Sequence, residues 1–180
     1  KVKENIESLS SINYKLITLN KVTEGTACTV LKAYNFINNN QPLLIANSDQ
    51  IVDFSCEEFV NDCIQRGLDG SILVFKEKEL NTKWSYVKTN DEGLVTEVAE
   101  KKAISDLATV GIYFFRRGSQ FCSAAIDMIT SGDRVNGEFY TCPVYNYLIK
   151  KGLRIGVLEI DQSDMYGLGT PEDLKKYINQ

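Results

Sequence analysis

The sequence contains no histidine, and this bounds its chemistry before any fold is considered. Ser-His-Asp and Cys-His nucleophilic catalysis require an imidazole base, so both are excluded within these 180 residues. The five cysteines, Cys28, Cys56, Cys63, Cys122 and Cys142, form no C-x-x-C pair and have no histidine to complete a zinc site. Carboxylate chemistry, metal-ion chemistry and binding without catalysis remain. Asp49 is the carboxylate placed for such work. It follows the apolar run Leu43-Leu-Ile-Ala46 within Asn47-Ser-Asp-Gln50, where a strand would end. In open α/β sheets, ligands bind outside the carboxyl ends of strands. A carboxylate there suits Mg²⁺, which takes one or two protein carboxylates and fills its other positions with water and substrate phosphate. The same residue type is also common in plain turns.

Three other groups have suitable residue types. Thr23-Glu-Gly-Thr-Ala27 lies between a strand pattern and a helix pattern. Gly25 would let backbone approach a flat ligand and the helix start favours an anion, although an ordinary strand-to-helix turn has the same composition. Glu100-Lys101-Lys102 offers a carboxylate for hydroxyls beside an ammonium for phosphate, or else a solvated charged turn. Asn136-Gly-Glu138 precedes a helix, and Glu138 either reaches a ligand or helps that helix start.

The surrounding elements must hold these groups. Tyr14–Leu19 reads as a strand, and Thr26–Ile37 as a helix with Ala27, Val30, Leu31, Tyr34 and Ile37 at helical spacing. Leu43–Ala46 has the pattern of a buried parallel strand. Ser55-Cys-Glu-Glu58 is a capping box ahead of an amphipathic helix. Ser71–Phe75 is a strand, and Ser85–Thr89 and Leu94–Ala99 form a hairpin about Asn90-Asp-Glu-Gly93. Thr109–Phe115 and Arg154–Ile160 are strands, Ser119–Ile129 is a helix, and another helix starts near Thr141 and Pro143 and stops at Gly152. Thr170-Pro-Glu-Asp173 opens the last helix with a cap, a first-turn proline and acids against the dipole.

Alternating strands and helices with a hairpin insert predict one α/β domain over residues 1–180, with a mostly parallel, mixed sheet. Hydrophobic residues at 43% suffice for a core. A net charge of −4 gives no footprint for nucleic acid, and no run approaches the ~20 apolar residues of a membrane span. Residues Lys1–Asn5 form no apolar signal region. The unpaired cysteines suit a reducing compartment, so a cytoplasmic location is expected.

The order of these segments resembles the sugar-nucleotidyltransferase superfamily, from about Tyr14 to Ile178. Thr23-Glu-Gly-Thr-Ala-Cys-Thr29 is similar to its G-T-A segment, and Leu43-Leu-Ile-Ala-Asn-Ser-Asp49 to the strand that ends in a metal-binding aspartate. Glu97-Val-Ala-Glu-Lys101 is similar to its E-K segment, and Ala108-Thr-Val-Gly-Ile-Tyr-Phe-Phe115 to its a-x-x-G-x-Y-x-F strand. Asn136-Gly-Glu138 and Gly169-Thr-Pro-Glu-Asp-Leu174 complete the order. The wording N-S-D-Q and Y-G-L-G-T-P-E-D-L most resembles the members encoded with bacterial capsule and surface-polysaccharide genes.

The resemblance implies a Rossmann-like, GT-A-type fold and transfer of a nucleotidyl group from an NTP to a sugar-1-phosphate or other small phosphorylated acceptor. Pyrophosphate is released, Mg²⁺ is the cofactor, and CTP is slightly favoured. Asp49 would hold the metal and, with Lys101, serve catalysis. Thr23, Gly25, Ala27 and Asn47 would line the nucleotide, and Glu100, Lys101, Gly111 and Glu138 the acceptor. An oligomer is compatible with this reading, and no nucleic acid or membrane partner is expected. Two departures stand out. The family's G-x-G-x-R loop and P-K-P segment are not in this sequence, so the natural protein is expected to extend by ~60–70 residues, a further strand–loop–helix–strand unit, at its N-terminus. This chain alone is then expected to be weakly active or inactive. Gly167 stands where many members have a second metal-binding Asp, which leaves Asp161, Asp164 or a single-carboxylate site. A GT-A glycosyltransferase lacking its usual D-x-D, and a non-catalytic domain that binds a nucleotide or nucleotide-sugar, are the alternatives.

Overall fold

The computed structural model describes residues 14–179. Its strands are β1 Leu43–Ala46, β2 Gln50–Val52, β3 Gly70–Lys76, β4 Ser85–Thr89, β5 Val95–Glu100, β6 Leu107–Phe115, β7 Ile155–Glu159 and β8 Met165–Gly167. Its α-helices are α1 Thr26–Val30, α2 Tyr34–Ile37, α3 Cys56–Gln65, α4 Gly118–Thr130, α5 Val144–Lys150 and α6 Pro171–Ile178. The main sheet runs β5-β4-β6-β3-β7, with β1 also paired to β6. β2 and β8 form a small second sheet.

The α/β architecture and the mixed sheet agree with the sequence reading, but the strand directions do not follow the mostly parallel pattern. Among the described residues, β3 with β7 is the one parallel pairing. The physical reason is β6. It follows the β4–β5 hairpin with no helix between and lies on the other side of β4 from β5, antiparallel to β4. It is also central, so β1, β3 and β4 all meet it antiparallel.

Both faces of the centre are covered. On β3, Ile72 and Val74 enter one apolar cluster with Phe115, Phe121 and Tyr145, while Leu73 and Phe75 enter the other with Phe59, Tyr86 and Phe114. This alternation explains why a strand buried on both sides reads as a continuous apolar run. α4 and α5 cover the first face, where Phe115 and Tyr145 stack with centroids 4.6 Å apart. α3 covers the second with Phe59 and Cys63. Its start is the expected cap: Ser55 Oγ accepts from Glu58 N at 3.1 Å.

Three local expectations are corrected. Tyr14–Leu19 forms no strand and has no ladder partner among the described residues. The helix expected over Thr26–Ile37 is divided into α1, a 3₁₀ turn at Leu31–Ala33, and α2. Its start lacks a side-chain cap, and β-branched Thr26, Thr29 and Val30 weaken a continuous helix. β1 is neither parallel nor fully buried: it pairs antiparallel with β6, and Leu44 is 40% exposed.

Candidate functional site

A cleft of about 250 Å³ opens where the start of β4, the end of β5 and the middle of β6 meet the loop after β1. Asn47, Glu100, Lys101 and Gly111 line it, as does Thr26 of the Thr23–Ala27 segment. The fold thus gathers residues from positions 26 to 142 of the chain into one site. A larger concavity of about 620 Å³ lies beside α1. Thr23 is the one sequence candidate that reaches it, so the chemistry converges on the smaller cleft.

A bulge in β6 builds the loop that carries Asp49. The register against β3 shifts between Ile72↔Tyr113 and Val74↔Thr109, and Gly111 adopts φ +85° there. A bulge turns backbone groups away from one neighbour. Here Gly111 O accepts from Asn47 N at 3.2 Å, and Val110 O accepts from the Gln50 side chain. Both ends of Asn47–Gln50 are therefore tied to the bulge. A β-carbon on Gly111 would overlap Asn47 Nδ2 and lie 2.9 Å from its Cγ. Gly111 is the socket for the Asn47 carboxamide.

The other side of the loop is held by the second sheet. Gln50 pairs with Gly167, and Leu168 N donates to Asp49 O at 2.7 Å. Asp49 is exposed, and among the described residues no cation pairs with its carboxylate. Its Oδ2 would lie 3.0 Å from a β-carbon on Gly169, so a glycine there leaves the carboxylate room. An open, unpaired carboxylate held by its backbone fits one position of a Mg²⁺ shell completed by water and phosphate. Among the described residues, no three Asp, Glu, Cys or His side chains gather as a metal site. Asp164 pairs through its backbone with Asp53, at the far end of the β2/β8 ladder from Asp49. Asp53 is four residue steps along extended chain from Asp49, about 13 Å. Asp161 lies beyond Asp164 in the chain.

Thr23–Ala27 is fastened to the turn before α5. Phe139 N donates to Glu24 O at 2.8 Å, and Ala27 N donates to Phe139 O at 3.0 Å. Gly25 crosses this junction with φ +123°, and a β-carbon there would come within 2.5 Å of the Phe139 nitrogen. Thr26 Oγ1 accepts from Thr141 N at 2.9 Å, while Thr23 Oγ1 donates to Gly25 O at 3.0 Å. Ala27 is buried in the core. The segment is thus a rigid wall, with Gly25 fitted against backbone.

Lys101 sits at the end of the hairpin in a left-handed conformation, φ 55°, which costs an L-residue roughly 1–2 kcal/mol. Its N–H donates to Trp84 O at 3.0 Å. Its ammonium donates to Tyr140 Oη at 2.8 Å and lies 4.8 Å from the Tyr140 ring centroid. The bond to Tyr140 raises the Lys101 pKa, so the group stays cationic. Glu100 accepts a hydrogen bond from Ser85 Oγ. Burial pushes its carboxyl above the ordinary value, against the lowering effects of Ser85 and Lys101. Beneath it lie Thr109 and Tyr113, whose hydroxyls are 3.2 Å apart, and the buried Cys142. Burial raises the Cys142 thiol so far that it stays protonated. Glu138 does not line the cleft. It stands beside Tyr140, whose hydroxyl it pushes up.

The sequence reading did not single out Lys83, Trp84, Ser85, Tyr140 or Thr141, all of which line the cleft. The hairpin read as Ser85–Thr89 with Leu94–Ala99 brings Ser85 to the level of Glu100 and leaves Lys83 and Trp84 just outside it. Tyr140 carries no local signal and Thr141 only that of a helix start; contacts between distant parts of the chain put them there.

Comparison with known proteins gives a consistent picture. Residues 1–139 match the family described as Nucleotidyl transferase. The catalytic subunit beta of a mannose-1-phosphate guanylyltransferase from Danio rerio is 31% identical over 94 residues, 51% of this chain and 26% of that protein's length. A nucleoside-diphosphate-sugar pyrophosphorylase from Vibrio cholerae superposes with a TM-score of 0.84 at 27% identity, covering 99% of this chain and 75% of its own. A candidate glucose-1-phosphate thymidylyltransferase from Bacillus anthracis shares the fold, with a TM-score of 0.67 at 16% identity over 87% of this chain and 61% of its own.

Proposed function

Since this chain belongs to the nucleotidyl transferase family, within the sugar-nucleotidyltransferase superfamily, we propose that its cleft is the acceptor side of a nucleotidyl transfer site. An oxygen of the acceptor's phosphate attacks the α-phosphorus of an NTP. A new P–O bond forms, the bond from the α-phosphorus to the bridging oxygen breaks, and pyrophosphate leaves with that electron pair. The acceptor phosphate is already anionic near neutral pH, so no histidine base is required. Catalysis then rests on alignment and charge neutralisation.

The observation that carries this reading is the convergence of Lys101, Glu100, Asn47 and the Asp49 loop at one end of the sheet. Lys101, held on Tyr140, meets the acceptor phosphate. Glu100 and Ser85 face its polar body, and Gly111 gives Asn47 its seat. Glu138 keeps the Tyr140–Lys101 pair in an anionic field. Thr23 and Gly25 form the wall on the nucleotide side, backed from within the core by Ala27, with Asn47 between the two substrates. Asp49 would hold Mg²⁺, which when bound neutralises phosphate charge. Residues 1–180 are proposed to act as one nucleotidyltransferase domain.

The finer reading is a surface-polysaccharide precursor enzyme of bacteria that takes a sugar-1-phosphate or another small phosphate, with CTP slightly favoured. It rests on the wording of Asn47–Gln50 and Tyr166–Leu174. The unpaired cysteines support a cytoplasmic setting.

The test is pyrophosphate release by the full-length gene product with Mg²⁺, each of the four NTPs, and a panel of sugar-1-phosphates and small phosphates. Asp49→Ala is assayed beside it. The expected result is turnover with one NTP, lost by at least 100-fold in Asp49→Ala, whose exposed side chain leaves folding unaffected. Sugar transfer from a nucleotide-sugar would instead make the protein a glycosyltransferase. No turnover with any pair, and unchanged NTP binding in the variant, would make it a non-catalytic binding domain.

A further inference from the structure

Lys83, just before β4, has an arrangement like that of Lys101, just after β5, at the neighbouring end of the same hairpin. Both line the cavity, and each ammonium is seated on an aromatic ring. Lys101 lies on Tyr140, and Lys83 Nζ lies 4.6 Å from the centroid of Trp84. The Trp84 ring is fixed by two contacts. Trp84 Nε1 donates to Glu77 Oε2 at 3.0 Å, and Glu77 is itself buried, 6% exposed. The indole also packs edge-on against Phe75 at 5.3 Å. Trp84 O accepts the Lys101 backbone N–H, so the residue that seats Lys83 also anchors the backbone of Lys101. Among the described residues, no carboxylate forms an ion pair with Lys83 or Lys101.

We propose that Lys83 and Lys101 form a two-ammonium clamp for a phosphoryl dianion, with Lys83 a second phosphate-binding residue of the acceptor site. The physical argument concerns order as well as charge. A lysine loses much rotamer freedom when it binds, and a side chain already held on a ring has lost part of it. Two such groups facing one small cavity match a dianionic phosphate monoester or phosphonate better than a monoanion. The clamp rests on the proposed function, because that reading makes the phosphate an acceptor's. Its test is therefore chosen to stand apart from turnover.

The probe is inorganic phosphate, titrated into the full-length protein by calorimetry at low salt. EDTA is present so that the Asp49 metal site takes no part. The wild type is expected to bind phosphate. Lys83→Met and Lys101→Met should each weaken binding by roughly 10-fold, the loss of one charge-assisted hydrogen bond. Lys83→Arg should retain most of the affinity. In the turnover assay, Lys83→Met should raise the acceptor KM by a similar factor and leave the NTP KM alone. Lys83 is exposed, so these variants should fold as the wild type does. Phosphate affinity in Lys83→Met within about twofold of wild type, with Lys101→Met weakened, would return Lys83 to the status of a solvated lysine. No phosphate binding by the wild type would sink the clamp altogether. Phosphate binding that follows the expected pattern, without pyrophosphate release from any substrate pair, would keep the clamp and refute the nucleotidyl transfer.

Discussion

Replacing Gly25 with alanine tests whether the wall proposed to face the nucleotide is fixed by close backbone approach. Two costs follow from the structure. At φ +123° with ψ 172°, an L-side chain occupies a region that is essentially glycine's own, at about 1–3 kcal/mol. The added β-carbon would also come within 2.5 Å of Phe139 N and 2.8 Å of Phe139 C. Backbone, unlike a flexible side chain, can yield only by opening the junction. That opening breaks Phe139 N to Glu24 O and Ala27 N to Phe139 O, each worth about 0.5–1.5 kcal/mol net. The sum is about 2–6 kcal/mol. A central value of about 4 kcal/mol corresponds to a fall in Tm of roughly 8–16 °C for a domain of this size. Gly137 provides the control. Its φ is +83° but no atom lies within 4 Å of a β-carbon there, so Gly137→Ala should cost only the conformational ~1–2 kcal/mol. Urea unfolding of both variants, with NTP binding measured at a temperature where both remain folded, separates the two effects. Equal destabilisation of the two variants would refute the close-approach argument, and so would unchanged NTP affinity in Gly25→Ala.

Gly111→Ala should lose about 1–2 kcal/mol from its positive φ and also displace Asn47. Pyrophosphate release would then fall by more than the unfolding curve accounts for, and a variant with wild-type stability and turnover would contradict the socket. Glu100→Gln should flatten the acid side of the stability profile. Burial raises the folded pKa of Glu100, so the folded state binds more protons than the unfolded state, and its contribution is lost as pH rises from the ordinary carboxylate value through the raised one. Unfolding measured from pH 4 to 8 should show the wild type losing more stability over that window than the variant; parallel profiles would count against the burial. Thr170→Ala removes the oxygen that accepts from Asp173 N at 3.1 Å, at a cost of about 1 kcal/mol. Because no residue of α6 is buried, the effect should appear as faster hydrogen exchange in α6 and leave Tm nearly unchanged.

The capped and periodic elements were legible because their signals are local. Ser55 and Thr170 cap their helices as read, Asn90–Gly93 closes the β4–β5 hairpin, and Ser119–Ile129 lies within α4. Tyr14–Leu19 misled because an apolar run reads as a strand whether or not a partner strand exists. The pairing of β2 with β8 was invisible because three residues are too few to show a period.

The same division holds at the site. The sequence by itself determined a histidine-free chemistry, the position of Asp49 after a strand, and the adjacency of Glu100 and Lys101. Those are properties of residue type and neighbour order. Only the tertiary structure decided that β6 runs against β1, β3 and β4, that its bulge at Gly111 takes up the Asn47–Gln50 loop, and that Tyr140 and Trp84 seat the two lysines. These depend on contacts between residues far apart in the chain, such as Gln50 with Val110 and Leu43 with Phe115. No local propensity encodes such contacts; they form when burying both faces of the sheet fixes which backbone groups remain free to bond.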